Sequence, residues 1–578
     1  VPPIDPVFWG AAAIPLILLM VTLVVFRWAA HEAASVGMFA AILVAFGLYQ
    51  LDLTGLAVAS AVGIWEAVAI LYIIIPALIF YHVIDRARGF DALREQIKSF
   101  TSNELFLVLA AGWVFVSFMQ SISGFGTPIV VVAPILLALG VKPVYAVVIP
   151  LIGHAWANTF GTLGVAWVTL EGIVEMQNVL LTALSAGVLL WIANISAGLT
   201  IAYIYGRREA VSYALPFVVV ISLVHGGGQL LGIYFWEPAF ANFFAATLAL
   251  LTLAPLSKLS RYAAPADGIE SRPAMQDEIT TLGASSPSPA VADGGETQSD
   301  VRTDGGTATA SDAAHAVDDD LMSLKLAALP FGVLAVIAFL TAVVEPVGEA
   351  LGTVELVLPF PAVETGLGVE TGALSAAGDG IALLNYPGAF LLVSALVAYL
   401  VYRQAGYYEQ TRELIDGEQE GFLEVVLRTA IPASIAVVGF LVMALVMDYS
   451  GQTSVLAQGL ATVATSETYG FLSPIIGALG AFMTSSNTAS NILFGGLQLE
   501  TALALGTSES WILAGQTAGG AIGNAISPAN VILGTTAVGI VGREGDVLRK
   551  VIPWVAVVCA IVGVVIVVAT LVGFLGAI

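Results

Sequence analysis

The chain has 578 residues, 58% of them hydrophobic and 11% charged, with 19 Lys and Arg against 42 Asp and Glu and a net charge of −23. That balance excludes a water-soluble globular enzyme of this length and points to an all-α polytopic membrane protein. A single cysteine, Cys559, excludes an intrachain disulfide and a cysteine-rich metal site, and five scattered histidines (His31, His82, His154, His225, His315) suggest no metal cluster.

The acidity reads either as a surface for acidic partners or ions, or as the solvated surface of a salt-adapted organism. Its spread over many loops and the scarcity of Lys favour the second. From Val1 onward there is no basic segment followed by an A-x-A site, so no signal peptide is expected.

About 12 transmembrane helices and two re-entrant hairpins are expected. Apolar runs predict helices at about 9–26, 34–49 and 56–84, followed by a loop carrying Arg86, Arg88, Arg94 and Lys98. The excess of positive charge makes that loop cytoplasmic and the N-terminus outside. Runs 105–120 and 127–139 cover roughly 24 and 20 Å, short of the ~30 Å hydrocarbon core. They read as a hairpin opening to the cytoplasm, although two crossing helices would preserve the same parity. Between them lies Ser121-Ile122-Ser123-Gly124-Phe125-Gly126-Thr127-Pro128, which breaks the helix. A broken backbone at membrane depth must be buried in protein or line a cavity.

Helix 143–170 is interrupted at Asn158-Thr159-Phe160-Gly161-Thr162, and helix 179–205 ends at Arg207 and Arg208. Two connecting helices, 214–231 and 239–256, follow. Segment 257–320 is rich in Ala, Ser, Gly, Thr and Asp, and is expected to be a disordered acidic cytoplasmic linker, with a regulatory docking tail as the alternative. Helix 324–344 leads to an acidic loop, 345–379, without Lys or Arg, which suits the outside. Helices 381–402 and 422–447 precede a second hairpin, 470–505, opening outward, with Ser485-Ser486-Asn487-Thr488-Ala489-Ser490-Asn491 at its tip. Helix 511–541 is broken at 524–530 and reaches the basic residues Arg543, Arg549 and Lys550. Helix 551–574 returns the C-terminus to the outside.

These elements divide the chain into a first half, 1–207, a two-helix spacer, 208–256, the linker, 257–320, and a second half, 321–578. Aligning Ala138-Leu139-Gly140 with Ala504-Leu505-Gly506 brings Gly153-His154-Ala155-Trp156-Ala157-Asn158 onto Gly519-Gly520-Ala521-Ile522-Gly523-Asn524. The shared G-x-A-x-x-N precedes a helix break in each half. A five-span unit followed by a two-span spacer inverts the second unit, as the basic loops demand. Inverted repeats with discontinuous helices mark secondary transporters that bind near the midplane.

The breaks supply hydroxyls, amides and half-helix ends, with almost no fixed charge. Thr127-Pro128 resembles a helix start with Thr as cap, and Ser486, Asn487 and Thr488 are candidates for the equivalent cap. Such N-termini hold a small carboxylate without arginine, and Gly124 and Gly126 permit close backbone approach. The candidate substrate-binding residues are Ser121, Ser123, Gly124, Gly126, Thr127, Asn158, Thr162, Ser486, Asn487, Thr488, Ser490, Asn491, Asn524 and Ser527. Helix packing through small residues is the competing reading of any one of them. His154 reads equally as a proton carrier and as a histidine bonded to a nearby carbonyl. Glu66, inside an apolar helix, is a second proton-coupling candidate, or an acid near the outer interface. No Walker A sequence is present, which argues against ATP-driven transport, and no G-x-S-G context supports an intramembrane serine protease.

At Gly124-Phe125-Gly126-Thr127-Pro128, Gly153-His154-Ala155-Trp156, Phe160-Gly161-Thr162-Leu163-Gly164, Ser486-Asn487-Thr488-Ala489-Ser490-Asn491, Ile526-Ser527-Pro528 and Ala537-Val538-Gly539-Ile540-Val541-Gly542-Arg543-Glu544, the chain resembles the L-lactate permease family. The resemblance covers nearly everything outside 257–320 and 345–380. It implies proton-coupled uptake of L-lactate and related 2-hydroxymonocarboxylates such as glycolate and D-lactate. It also looks like hairpin-bearing ion transporters with S-N-T loops, some of which use sodium. Several family members carry an acid just before G-F-G and Asp in the S-N-T loop, where this chain has Gln120 and Asn487. That departure leaves His154 as the titrating group. The expectation is therefore a plasma-membrane H⁺ symporter and not an enzyme. It would need no cofactor or metal beyond its coupling ion, and its partners would be a small organic anion and the lipid bilayer, with no nucleic acid. A sodium-coupled organic-anion symporter and an anion channel are the alternatives, and the oligomeric state is left open.

Overall fold

A computed structural model of the chain describes residues 5–26, 28–124, 126–266, 268–269, 271–276, 322–371, 380–414 and 421–573. Phe125, residues 277–320 of the expected linker and residues 372–379 of the expected outer loop lie outside the described residues. The fold is helical. Ten helices among the described residues are long and apolar enough to cross a membrane.

Helices α1 (Pro6–Met20), α2 (Ala30–Gly47) and α3 (Leu53–Arg86) open the chain. The Asp5 and Asp52 carboxylates accept first-turn N–H groups at the starts of α1 and α3. A short helix, α4 (Gly89–Lys98), follows and was not expected from apolar runs. The first arm of the first hairpin is α5 (Glu104–Leu109), a π-helical turn Ala110–Phe115 and α6 (Val116–Ile122). Together these 19 residues measure about 28 Å, longer than the apolar run alone predicts. Length therefore does not distinguish this arm from a crossing helix; its complete burial within the protein sets it apart. The second arm, α7 (Thr127–Ala138), has only 12 residues.

The interrupted helix is α8 (Pro143–Ala155) and α9 (Val165–Ile173). Three successive residues in the break, Thr162, Leu163 and Gly164, have left-handed φ of 51°, 51° and 73°, a conformation costly for the first two. Next, α10 (Val179–Ser222) is kinked at Gly206 and Arg207, where the sequence ends one helix and begins another. A π-helical turn, Leu223–Gly227, joins it to α11 (Gly228–Phe235), and α12 (Pro238–Ser257) follows. Residues 257–276 differ from the expected linker. Tyr262 is buried against Phe106 and Phe217, Met275 bridges to Val141, and Arg272 pairs with Glu104 at 2.5 Å. Two apolar anchors in polar sequence thus hold this stretch against the bundle.

The second half contains α13 (Leu324–Val343), α14 (Glu345–Gly352), α15 (Pro387–Gln404), α16 (Tyr407–Leu414), α17 (Phe422–Tyr449) and α18 (Gln452–Val463). Four two-residue strands between α14 and α15 pair as two antiparallel ladders. The second hairpin is α19 (Ser466–Thr484) and α20 (Asn487–Leu505), and the second interrupted helix is α21 (Glu509–Gly523), a 3₁₀ turn Asn524–Ile526 and α22 (Pro528–Ala537). Helix α23 (Glu544–Val572) ends the described chain.

Helix α17 packs on α2 and α3, and α15 packs on α3 and α13, while the hairpins and interrupted helices pack on one another and on α10 and α23. Glycines permit the closest approaches. A Cβ on Gly153 of α8 would run into the Gly112 carbonyl of the first hairpin, and one on Gly519 of α21 would run into the Pro474 carbonyl of the second. Neither obstacle is a flexible side-chain end, so helix backbones would have to separate. Gly153→Ala and Gly519→Ala should each lower the thermal unfolding temperature of the detergent-purified protein by several degrees, corresponding to roughly 1–3 kcal/mol. Gly332→Ala, a helical position with no neighbouring atom within 4 Å, should leave it unchanged or slightly raised.

Candidate functional site

Between the four helix breaks lies a cavity of about 60 Å³, lined by Gln120, Gly124, Gly126, His154, Asn158, Gly161, Thr162, Val165, Ala166, Ser485, Ser486, Asn487, Thr488, Asn524 and Asn530. Among the described residues no Asp, Glu, Lys or Arg lines it, and His154 is the one ionisable side chain that does. The volume is room for roughly four or five waters.

The first hairpin and first broken helix close one side. Gln120 Nε2 donates to Asn158 Oδ1 at 2.8 Å, and the Asn158 amide nitrogen donates to the Ala155 carbonyl at 2.9 Å. The backbone N–H of Thr162 donates to Gln120 O at 2.8 Å and that of Leu163 to Ser121 O at 3.1 Å. The last carbonyls of α6 thereby receive the N–H groups that the broken helix cannot satisfy internally. His154 Nδ1 lies 2.7 Å from the Pro150 carbonyl. A carbonyl only accepts, so Nδ1 carries the hydrogen. The ring also reaches the Asn524 side chain.

The second hairpin closes the opposite side. Ser486 is the cap of α20, its Oγ accepting the Ala489 N–H at 3.2 Å, while Ser485 adopts a left-handed φ of 57° and accepts the Ala529 N–H at 3.4 Å. Asn487 Nδ2 donates to Thr159 Oγ1 at 3.2 Å, and Thr159 Oγ1 donates to the Thr517 carbonyl at 3.0 Å. These bonds tie the tip of one half to the broken helix of the other. Across the cavity, Asn530 Nδ2 donates to the Asn524 side-chain oxygen.

The two hairpin tips are not equivalent as anion sites. At the start of α7 the expected Thr127 cap is absent. Gly126, at φ 78°, occupies the cap position without a side-chain bond. The Thr127 N–H is taken by Gly124 O at 3.2 Å, Pro128 has no N–H, and the Ile129 N–H is taken by Gly126 O. At the start of α20, Asn487 and Thr488 hold the first two helical positions, whose N–H groups have no partner within the helix. Free donors and the positive end of the helix thus coincide at the second tip.

Of the residues singled out in the sequence, Gly124, Gly126, Asn158, Thr162, His154, Ser486, Asn487, Thr488 and Asn524 line the cavity. The others do not. Ser121 donates to the Phe118 carbonyl at 2.6 Å within its helix, and Ser123 is buried at the break. Ser490 donates to Gly477 O at 2.8 Å, and Asn491 donates to Ala166 O and Thr517 Oγ1, both at 2.9 Å. Ser527 caps α22 by accepting the Asn530 N–H. Glu66 sits on α3 where a Cβ on Gly172 of α9 would meet its carboxylate, outside the cavity. Sequence reading missed Gln120, Gly161, Ser485 and Asn530, all within or beside the breaks it had marked.

The chain is similar in sequence to known proteins along most of its length. A family profile described as L-lactate permease matches residues 10–276 and 327–573. The L-lactate permease of Escherichia coli K12 is 27% identical over 96% of this chain and 94% of its own length, and that of Halalkalibacterium halodurans is 26% identical over 93% and 92%. The glycolate permease GlcA of Escherichia coli K12 is 25% identical over 96% and 94%. The crystal structure of the Alcanivorax borkumensis YdaH transporter aligns with 88% of this chain and 86% of its own at 15% identity and a TM-score of 0.41. With the family profile matching on both sides of residues 277–326, this multi-pass membrane chain belongs to the L-lactate permease family.

Proposed function

We propose that this protein is a secondary transporter of the plasma membrane that takes up L-lactate or a closely related 2-hydroxymonocarboxylate, such as glycolate or D-lactate, together with H⁺. One observation carries the reading: a small, partly open cavity of about 60 Å³, with no Asp, Glu, Lys or Arg among its described lining residues, at the open N-terminus of α20. The volume is of the order of a three-carbon hydroxy acid. The relatives named L-lactate permease and glycolate permease act on acids of that size.

In this reading the carboxylate sits on the Asn487 and Thr488 N–H groups, where the helix dipole stabilises one negative charge. The 2-hydroxyl turns toward the amides of Asn158 and Asn524. His154 takes the coupled proton. With Nδ1 engaged by Pro150, Nε2 is the position open to protonation. An imidazolium beside a bound carboxylate favours loading both together, and an unliganded site without a counter-charge disfavours a proton on the buried ring. The concentration of basic side chains at Arg86, Arg88, Arg207, Arg208, Arg543 and Arg549 supports an orientation with those loops inside and both termini outside.

Uptake of labelled L-lactate into proteoliposomes should exceed equilibrium under an inward pH gradient and collapse with a protonophore. Uptake that survives the protonophore and follows Na⁺ would replace the proton with sodium, and currents without accumulation would make the protein a channel. His154→Gln should abolish pH-driven accumulation by at least tenfold while leaving lactate–lactate exchange measurable. Asn487→Asp sets a carboxylate at the same helix N-terminus. It should raise the apparent KM for lactate about tenfold at neutral pH, corresponding to ~1.4 kcal/mol, and recover as the pH falls. If transport and its pH profile are untouched by that change, the substrate carboxylate does not sit at this tip.

A further inference from the structure

A second and larger cavity, of about 830 Å³, opens where α3, α15 and α16 meet at the basic end of the bundle, remote from the helix breaks. Arg86, Arg403, Arg412 and His82 line it, and among the described residues Glu409 is the one carboxylate that does. Arg428 acts electrostatically on His82 from α17. Three of the chain's 19 Lys and Arg residues thus line one groove in a protein with a net charge of −23.

The arginines are positioned by aromatic rings. Arg86 lies over Phe422 at 5.4 Å, and Arg403 lies over Tyr399 at 6.0 Å while donating to its hydroxyl at 3.3 Å. Among the described residues, Arg403 and Arg412 make no ion pair. Much of the remaining lining is apolar. Leu392, Leu396, Tyr399 and Arg403 recur at spacings of four, three and four along α15, which puts them on one helix face. Leu392 and Leu396 are 37% and 57% exposed on a helix apolar enough to cross a membrane. From Leu392 to Arg403 the helix rises about 16 Å, the depth of one leaflet of hydrocarbon.

We propose that this groove binds one anionic phospholipid, its phosphate held by Arg86, Arg403 and Arg412 and an acyl chain lying along Leu392 and Leu396. Charge complementarity selects the headgroup, since guanidinium forks match phosphate oxygens. The apolar stripe selects a lipid over a free anion, and basic pockets between membrane helices are suited to such headgroups. The lipid would bridge α3 of the first half and α15 and α16 of the second, away from the substrate cavity.

The test uses the full chain purified in mild detergent. Thermal unfolding is followed with added phosphatidylglycerol, phosphatidylcholine or inorganic phosphate, and co-purified lipid is read by native mass spectrometry. Phosphatidylglycerol should raise the midpoint by several degrees, and the other two should not. The double variant Arg403→Gln/Arg412→Gln should lose most of that shift and the retained lipid, whereas Lys258→Gln should keep both. Leu396→Trp, which fills the apolar wall without touching charge, should also reduce retention. An equal shift with phosphatidylcholine or with phosphate alone, or full retention in the double variant, overturns the proposal. So does a lipid-free dimer that the double variant converts to monomer, which would assign the groove to a second copy of the chain.

Discussion

Helix interruptions inside apolar sequence create a hydrogen-bond deficit that only protein can relieve, because hydrocarbon offers no donor or acceptor. In the first half the two interruptions relieve each other. The carbonyls of Gln120 and Ser121 at the end of α6 have no helical donors ahead of them, and the N–H groups of Thr162 and Leu163 have no helical acceptors behind them. They bond at 2.8 and 3.1 Å. The left-handed run at Thr162, Leu163 and Gly164 is the backbone cost of turning those donors toward the hairpin. The cavity exists because this exchange holds two chain breaks at one depth.

The second half meets the same deficit with side chains. Thr484 Oγ1 accepts the Ser486 N–H at 3.3 Å, Ser485 accepts the Ala529 N–H, and Asn487 reaches across to Thr159. Hydroxyls and amides can exchange partners by rotation about χ1, whereas the backbone pairs of the first half move only with their helices. Rigid and adjustable walls therefore face each other, and Thr159 belongs to both, through its bonds to Asn487 and to the Thr517 carbonyl.

The breaks were legible in the sequence because clusters of Ser, Gly, Asn and Pro are conspicuous inside long apolar runs. Those runs located Gly124, Asn158, Asn487 and Asn524 by backbone position, and side-chain direction adds little where the backbone itself is exposed. Direction did matter for Ser490 and Asn491. One turn into α20, they point away from the cavity, Ser490 toward α19 and Asn491 toward α9 and α21. Ser527 was indistinguishable from a ligand-binding hydroxyl, since a capping serine uses the same atom for its own helix. Gln120 was read as a lost acid, and its role in holding Asn158 depends on a contact 38 residues away. Short helices such as α4, α16 and α18 escaped notice because they do not need the continuous apolarity that marks a crossing helix. The anchoring of residues 257–276 had a faint signal in Tyr262 and Met275, two bulky residues in otherwise small and polar sequence.

Similar hairpins do not make similar binding ends. Proline at the second position of α7 removes one N–H, and the Gly124 and Gly126 carbonyls take its neighbours, so this end is electrically closed and serves as a wall. Serine before α20 satisfies only the third N–H and leaves the first two at the cavity. In the proposed reading, an anion between the tips is therefore bound asymmetrically. Its charge is held by α20, and its remaining surface is shaped by α7 and the two broken helices. Movement of the first half against the second would change that shape, and with it access, while the anion stayed with α20. His154 lies on the wall side, bonded to the backbone of its own helix at Pro150. In the proposed reading, a proton on it would sense the bound charge across the cavity, which would link occupancy by an acid to protonation with no Asp or Glu among the described lining residues.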